Sequence, residues 1–282
     1  MIDFPCAKIN LGLNIIGRRA DGYHDIETVF YPIGLTDALE VVPSSDEMGK
    51  NGSDDGKTSL HRRGISIDAP ADSDLTVKAY RLLDADYHLP PVDIHLLKKI
   101  PMGAGLGGGS SDAASALCLL NNLFALGLST EELEAYAARL GADCAFFVNA
   151  QPVFAEGIGN ILTPIGLSLN GYGIIVVKPD VFVSTKEAYA GVKPRRPQVS
   201  LRRIIGRPVE TWRENMTNDF EESIFARYPV IGDVKNELYR LGAVYASMSG
   251  SGSSVYGLFA PGRECPTQNF AGSAFVYKGR LK

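Results

Sequence analysis

The sequence predicts an α+β fold in two domains, residues 1–150 and 151–282, and three observations carry that prediction. Strand patterns are grouped along the chain rather than alternating strictly with helices, which disfavours a doubly wound parallel sheet. Segments rich in glycine and serine interrupt the pattern twice, at 103–111 and at 249–254. The length, 282 residues, supports one large or two modest hydrophobic cores.

The first clear strand is 7–16. Ala7, Ile9, Leu11, Leu13 and Ile15 point to one side, and Lys8, Asn10, Gly12 and Asn14 to the other, so it reads as half-buried. That geometry sets Lys8 and Asn10 on one face, about 7 Å apart. A turn follows at 17–22, then strands at 26–33 and 39–43. The stretch 44–64 has almost no apolar residues and reads as a long exposed loop. A helix is expected at 75–85, with Leu75, Ala79, Leu82 and Leu83 inward, and a strand at 92–97. The helix at 111–126 turns Ala113, Ala116, Leu117, Leu120 and Phe124 to the core. Ser129-Thr130-Glu131-Glu132 is a capping box opening the next helix, and Gly141 closes it. Further strands are expected at 153–156, 173–177, 244–249 and 253–259, with helices at 185–190, 200–205, 218–227 and 230–241.

Hydrophobic residues make up 45% of the chain, as in ordinary soluble domains, and the net charge of −4 implies no broad basic face for nucleic acid. The basic run at 193–207 reads as solvated surface. Cys6, Cys118, Cys144 and Cys265 are widely spaced, with no Cys-x-x-Cys pair for zinc or redox work. The start lacks signal-peptide character, and no apolar run is long enough to span a membrane. A cytosolic protein is expected, with a small-molecule substrate and no nucleic-acid, membrane or obligate protein partner.

The segment from Pro101 to Ala114 reads Pro-Met-Gly-Ala-Gly-Leu-Gly-Gly-Gly-Ser-Ser-Asp-Ala-Ala, with five glycines between Gly103 and Gly109. Glycine lets a backbone approach a ligand closely, and the helix start beyond it offers unpaired N–H groups and the positive end of a dipole. Together they make a phosphate site. A Rossmann reading fails, because Lys98-Lys99-Ile100-Pro101-Met102 separates the apparent strand from Gly103 and no second strand follows with an acidic end. No Gly-Lys-Ser/Thr closes the segment, so it is not a P-loop. The Val-Ala-Ile-Lys strand and His-Arg-Asp loop of protein kinases are also missing. The second loop, Ser-Gly-Ser-Gly-Ser-Ser at 249–254, is either a plain hairpin turn or a loop with a further task, since six small residues exceed what a tight turn needs.

Phosphoryl transfer needs phosphate positioning, charge neutralisation and a group that orients the attacking hydroxyl. Asp143, between Gly141-Ala142 and Cys144-Ala145-Phe146-Phe147, is the best carboxylate for that task, because its apolar setting makes an unpaired charge costly. A helix N-cap is its other reading. Lys8, on an otherwise apolar strand, is the matching cation, or else a salt-bridged surface lysine. In Gly22-Tyr23-His24 the tyrosine offers a ring for stacking and the histidine both donates and accepts hydrogen bonds, though both are also ordinary turn residues. His61, His88 and His95 have no motif around them, and no residue is assigned to a metal.

The segment from Pro101 to Ala114 resembles the central motif of the GHMP kinases. Four further segments resemble one branch of that family, in the branch's order: Ala7-Lys-Ile-Asn-Leu11, Arg19-Ala-Asp-Gly-Tyr-His24, Leu140-Gly-Ala-Asp-Cys-Ala-Phe-Phe147 and Phe154-Ala-Glu-Gly-Ile-Gly-Asn-Ile-Leu-Thr-Pro164. The resemblance implies the two-domain GHMP kinase fold, with an N-terminal domain of ribosomal-protein type, a ferredoxin-like C-terminal α/β domain, and the active site in the cleft between them. It implies ATP and Mg2+ as cofactors. The implied reaction phosphorylates the 2-hydroxyl of a cytidine diphosphate-linked methylerythritol in non-mevalonate isoprenoid biosynthesis. Matched residue by residue, it implies Asp143 as catalytic base and Lys8 as its partner. It implies ATP contacts from Lys98 and from Pro101, Met102, Gly103, Ala104, Gly105, Leu106, Gly107, Gly108, Gly109, Ser110 and Ser111. Substrate contacts are implied for Asn10, Tyr23, His24, Thr185 and Tyr189, with His24 near the cytosine. The chain departs from the family at Tyr189, often phenylalanine, and at Ser73-Asp74, usually Asp-Asn on the adenine side. The alternatives are a GHMP kinase acting on a mevalonate derivative, homoserine or a sugar, and a nucleotide-binding protein without transfer activity.

Overall fold

The computed structural model describes residues 1–44, 56–270 and 272–282. In chain order it begins with β1 (Ile2–Asp3), β2 (Cys6–Arg18), β3 (His24–Thr36), β4 (Ala38–Pro43), β5 (Thr58–Gly64), α1 (Leu75–Tyr87), β6 (Val92–Lys98), α2 (Gly108–Leu123), α3 (Thr130–Leu140) and α4 (Phe146–Asn149). Then come β7 (Val153–Glu156), β8 (Ile161–Pro164), β9 (Gly173–Lys178), α5 (Thr185–Ala190), α6 (Leu201–Ile205), α7 (Trp212–Asn215), α8 (Glu221–Arg227), α9 (Pro229–Arg240), β10 (Tyr245–Met248), β11 (Val255–Phe259) and β12 (Phe275–Arg280). These elements build two compact units. One contains Met1–Ala7, Leu35–Pro101 and Gly107–Gln151, the other Lys8–Gly34, Met102–Leu106 and Pro152–Lys282.

The first unit holds a sheet of order β1-β4-β6-β5 in which β5 runs parallel to β6 and the other pairs are antiparallel. Its core joins Leu39, Val41 and Ile94 of the sheet to Val77, Tyr80 and Leu83 of α1 and Leu117 and Leu120 of α2. Each such buried side chain contributes about 1.5–3 kcal/mol relative to exposure. The Asp74 carboxylate accepts the Thr76 N–H and so caps α1, while Ser129 and Glu132 complete the capping box of α3.

The second unit holds two sheets, β2-β3-β7-β8 and β10-β11-β9-β12. The latter is antiparallel throughout. Ile224 of α8 and Ile231, Val234 and Leu238 of α9 share one core with Ile175, Val177, Val255 and Phe259 of this sheet. The α+β expectation therefore holds, and strands and helices are grouped as the pattern implied.

The structure differs from the sequence reading in four places. Of the stretch expected as an exposed loop, 45–55 lie outside the described residues, but Thr58–Gly64 is a strand. It earns its place by main-chain pairing with β6 along its whole length, with Thr58 and Ser59 buried, so few apolar residues are needed. Strand β2 is buried on both faces from Ala7 to Ile15, not on one. Helix α2 starts at Gly108, three residues before the expected start at Ser111, and ends at Leu123. Strands β1, β8 and β12 and the short helices α4 and α7 were not expected; β12 lines up on β9 with side chains only partly buried, which weakens the hydrophobic signal.

All four cysteines are free thiols. Burial pushes the Cys6, Cys118 and Cys144 thiols up to about 11, from an ordinary 9.0. The thiolate is the reactive form, so a rise of that size cuts its population roughly a hundredfold at neutral pH. Alkylation by iodoacetamide at pH 8 is expected to be slower on the native protein than on the guanidinium-unfolded chain by about that factor; equal rates would contradict the buried placement. No helix among the described residues is long and apolar enough to cross a membrane.

Candidate active site

Strand β2 brings the polar residues of its second face into the interior of the second unit. Lys8 is 4% exposed and Asn10 3%. The Lys8 ammonium donates to Asn10 Oδ1 at 2.6 Å and lies 4.8 Å above the centre of the Phe30 ring. Asn10 Nδ2 donates to Thr28 Oγ1 at 3.0 Å, and the Thr28 hydroxyl donates to the Gly12 carbonyl at 2.6 Å. This chain of bonds fixes which end of the Asn10 amide faces the ammonium. A buried ammonium is tolerated only with such partners, so Lys8 is not a surface lysine.

The hairpin between β2 and β3 presents the Tyr23-His24 pair. Asp21 Oδ1 accepts the Tyr23 N–H at 3.0 Å, Arg19 N–H donates to the Tyr23 carbonyl at 2.8 Å, and Gly22 supplies a φ of +89°. Tyr23 is left 62% exposed. His24 stacks on Tyr189, with ring centres 4.8 Å apart and planes 20° from parallel, and Tyr189 meets Phe220 edge-on. Thr185 and Tyr189 lie one turn apart on α5 and so share a face. The structure thus gathers His24 and Tyr189, residues expected to meet one base, into a single stack.

Met102–Leu106, the first part of the glycine segment, belongs to the same unit. Gly103 and Gly105 take φ of +57° and +74°. A Cβ on Gly105 would lie 1.9 Å from the Ser249 carbonyl oxygen, so no side chain fits there. The loop's carbonyls are occupied by the protein: Ala104 O accepts the Ser254 N–H at 3.3 Å, Gly105 O the Ser249 hydroxyl at 2.8 Å, and Leu106 O the Lys8 N–H at 2.9 Å. Ser249 Oγ also accepts the Asn10 N–H at 3.2 Å, and the buried Tyr256 hydroxyl donates to the Asn10 carbonyl at 2.7 Å. The loop at 249–254 is therefore more than a turn between β10 and β11: it fastens the backbone of Asn10 to that of Gly105. The sequence reading passed over Thr28 and Tyr256, and named Ser249 only as the first residue of the second loop. The available signal was Asn10 itself, whose amide and main-chain groups all need partners once buried.

In the first unit, Gly107, with φ +72°, is the N-cap of α2 and offers no side-chain oxygen to it. Gly108, Gly109 and Ser110 open the first turn with N–H groups that lack intrahelical partners, and the Ser111 N–H makes the first helical bond, to Gly107 O at 2.9 Å. Pro101 is buried and Met102 exposed at the segment's start. Lys98, expected beside the nucleoside, is 1% exposed. Its ammonium donates to the carboxylates of Asp37 and Asp112. Asp143 lies partly exposed in the turn between α3 and α4. That turn is held by main-chain bonds, among them Cys144 N–H to Gly141 O at 3.1 Å, and the N-cap of α4 is Ala145 rather than Asp143. The departure at Ser73-Asp74 has a structural task, since Asp74 caps α1.

A left-handed glycine loop running into an uncapped helix start, on a mixed α+β frame, defines the class. The family model described as GHMP kinases N terminal domain matches residues 74–151, and that described as GHMP kinases C terminal matches 200–264. A Bacteroides thetaiotaomicron protein named 4-diphosphocytidyl-2-C-methyl-D-erythritol kinase is 58% identical over 281 residues, covering 100% of both chains. A Parabacteroides distasonis protein of the same name is 51% identical over 281 residues, again covering 100% of both. Among solved structures, a 4-(cytidine 5'-diphospho)-2C-methyl-D-erythritol kinase superposes with a TM-score of 0.81 at 32% identity, covering 100% of this chain and 99% of its own. The Methanococcus jannaschii mevalonate kinase, with TM-score 0.69 at 14% identity over 100% of this chain and 98% of its own, shares the fold. The chain belongs to the GHMP kinases and, within them, to the 4-diphosphocytidyl-2-C-methyl-D-erythritol kinase family.

Proposed function

We propose that the protein transfers the γ-phosphoryl group of ATP to the 2-hydroxyl of 4-diphosphocytidyl-2-C-methyl-D-erythritol, giving the 2-phosphate and ADP in non-mevalonate isoprenoid biosynthesis. The observation that carries this reading is the full-length identity of 58% to a relative bearing that kinase's name. The Lys8–Asn10 pair and the Tyr23-His24 hairpin with Tyr189 support it, because they supply a buried cation and an aromatic platform in one compact unit. The cytosine would use that platform, with Thr185, Tyr189, Tyr23 and His24 as its contacts, and its binding energy would serve to position the distant hydroxyl.

The glycine segment suits the triphosphate. Its carbonyls at 104–106 are bonded to protein, which leaves amide groups as the polar face available to a ligand. The missing side chain at Gly105 is required by its neighbour, and the start of α2 adds N–H groups and dipole. The residues from Pro101 to Ser111 remain the proposed ATP contacts, with Lys98 on the ATP side but buried beneath the first turn of α2. Asp143 orients the substrate hydroxyl and takes its proton, and Lys8 steadies the charge on the transferring group. Mg2+ would accompany the nucleotide, whose phosphates and waters supply most of its ligands. Among the described residues no group of three or more His, Cys, Asp or Glu could hold a metal ion, so no step is assigned to it. The four free cysteines, of which Cys144 and Cys265 are buried, suit a cytosolic location.

The test is an ADP-release assay with ATP, magnesium and the cytidylyl acceptor, run beside mevalonate, homoserine and galactose. ADP release is expected only with the cytidylyl acceptor. Release with one of the others instead would assign the chain to a different GHMP activity. ATP binding with no release on any acceptor would favour a nucleotide-binding protein.

A further inference from the structure

Lys98 ends β6 with its side chain turned away from solvent, and three charges meet there inside the first unit. The ammonium donates to Asp37 Oδ2 and, at 2.7 Å, to Asp112 Oδ2. Asp37 sits between β3 and β4, and its other oxygen accepts the N–H groups of Lys99 and, at 2.8 Å, Ile100. Its own N–H donates to the Pro5 carbonyl. Asp37 is thus tied by main-chain bonds to the residues that lead into the glycine segment. Asp112 is the fifth residue of α2, one turn along from Gly108. A Cβ on Gly108 would lie 2.8 Å from the Lys98 ammonium and 2.8 Å from Ile100 Cγ2. The ammonium therefore passes directly beneath the first turn of the helix.

Two carboxylates facing one ammonium cannot both be ionised without leaving a buried negative charge in excess. The second oxygen of Asp112, Oδ1, is buried without a hydrogen-bond partner among the described residues. Burial raises the Asp112 carboxyl, with Lys98 pulling it down and Asp37 pushing it up. Such a cluster adds little net stability, because desolvation offsets the attraction. It does fix direction: the end of β6 and the start of α2 are held by bonds that tolerate no slip.

We propose that Lys98, Asp37 and Asp112 form a buried clasp that sets the first turn of α2 relative to the end of β6, so that Lys98 acts on the nucleotide as a positioning residue through the helix N–H groups, without touching it. This rests on the reading of the glycine segment as the ATP site. A lysine that contacts ATP directly would act independently of Asp112; a clasp lysine would not.

A double-mutant cycle separates the two. The variants are Lys98→Met, Asp112→Leu and the pair together, in the full-length protein, with Asp112→Asn as the conservative control. The readouts are calorimetric Kd for a non-hydrolysable ATP analogue with magnesium, KM for the cytidylyl acceptor, and Tm. Lys98→Met and Asp112→Leu are each expected to weaken analogue binding about tenfold, and the double variant no more than either alone. Acceptor KM should stay within about twofold, and Asp112→Asn, which keeps an acceptor for the ammonium, should bind like the wild type. The double variant is also made in an Asp37→Asn background, which leaves no buried charge at the three positions and keeps an oxygen for the Lys99 and Ile100 N–H groups, so it preserves the fold where a single variant fails to. If Lys98→Met does not fold, comparing the double variant with Asp112→Leu decides the matter: equal Kd supports the clasp. Additive losses in Kd, or unchanged Kd in both single variants, would overturn it. Wild-type protein that binds the analogue yet releases no ADP would sink the proposed reaction while leaving the clasp open to the same cycle; wild-type protein that binds no analogue would overturn both.

Discussion

Replacing Asp143 by asparagine is expected to lower turnover by roughly 10²–10⁴-fold, the range supplied by a positioned general base. KM for ATP and Tm should barely move. The reason lies in how the turn is built. Main-chain hydrogen bonds brace it, from the Cys144 N–H to Gly141 O and from the Phe147 N–H to Cys144 O, and α4 takes Ala145 as its N-cap. The carboxylate is not needed to cap that helix, and asparagine keeps its volume. A single-turnover measurement with ATP and the cytidylyl acceptor reads the chemical step directly. Full activity in Asp143→Asn would remove the residue from the mechanism. A parallel loss of Tm would recast it as structural.

Gly105→Ala is expected to be the most damaging single methyl group in the chain. The left-handed backbone alone costs about 1–2 kcal/mol for a residue with a side chain. The contact is worse, because the new carbon would lie 1.9 Å from the Ser249 carbonyl oxygen, which belongs to backbone and cannot swing aside. The loop must therefore shift, and with it the bonds from Gly105 O to Ser249 and from Leu106 O to Lys8. A displacement near 1 Å at such a site costs about a hundredfold in function. Calorimetric titration with an ATP analogue, alongside thermal unfolding, checks this; wild-type affinity in Gly105→Ala would show that the loop is not the phosphate site. Gly166→Ala, where a Cβ meets nothing within 4 Å, is the natural control.

The two glycine–serine loops were legible in the sequence because small residues in such density have few uses. The alternation around Lys8 and Asn10 was legible too, since period-2 patterning survives in any strand. What the pattern could not give was the second burial of that strand. Polar residues read as solvent-facing, whereas Asn10 is enclosed by Thr28, Ser249 and Tyr256, residues far off in sequence. Helix α2 was placed late because glycine is a poor helix former, so Gly108 and Gly109 read as loop. The close approach of Lys98 and Ile100 requires glycine there, and tertiary packing overrides propensity. Strand β5 was missed because a polar edge strand needs a neighbour's main chain more than it needs apolar side chains. Lys98 was named only through the family resemblance, as an ATP contact, and the direction of its side chain was hidden. The clue was Asp112, a carboxylate one turn from Ala116 on the buried side of α2.

The hydroxyl of Ser249 joins positions separated by 239 residues on one side and 144 on the other. During synthesis, the strand carrying Lys8 and the loop carrying Gly105 both emerge long before the residue that ties them together. A ribosome-bound chain that stops short of Ser249 can form the capped helices α1 and α3, whose signals are local. It cannot complete the setting of Asn10. The bonds that fasten the backbone of Asn10 to that of Gly105 therefore form only late in translation.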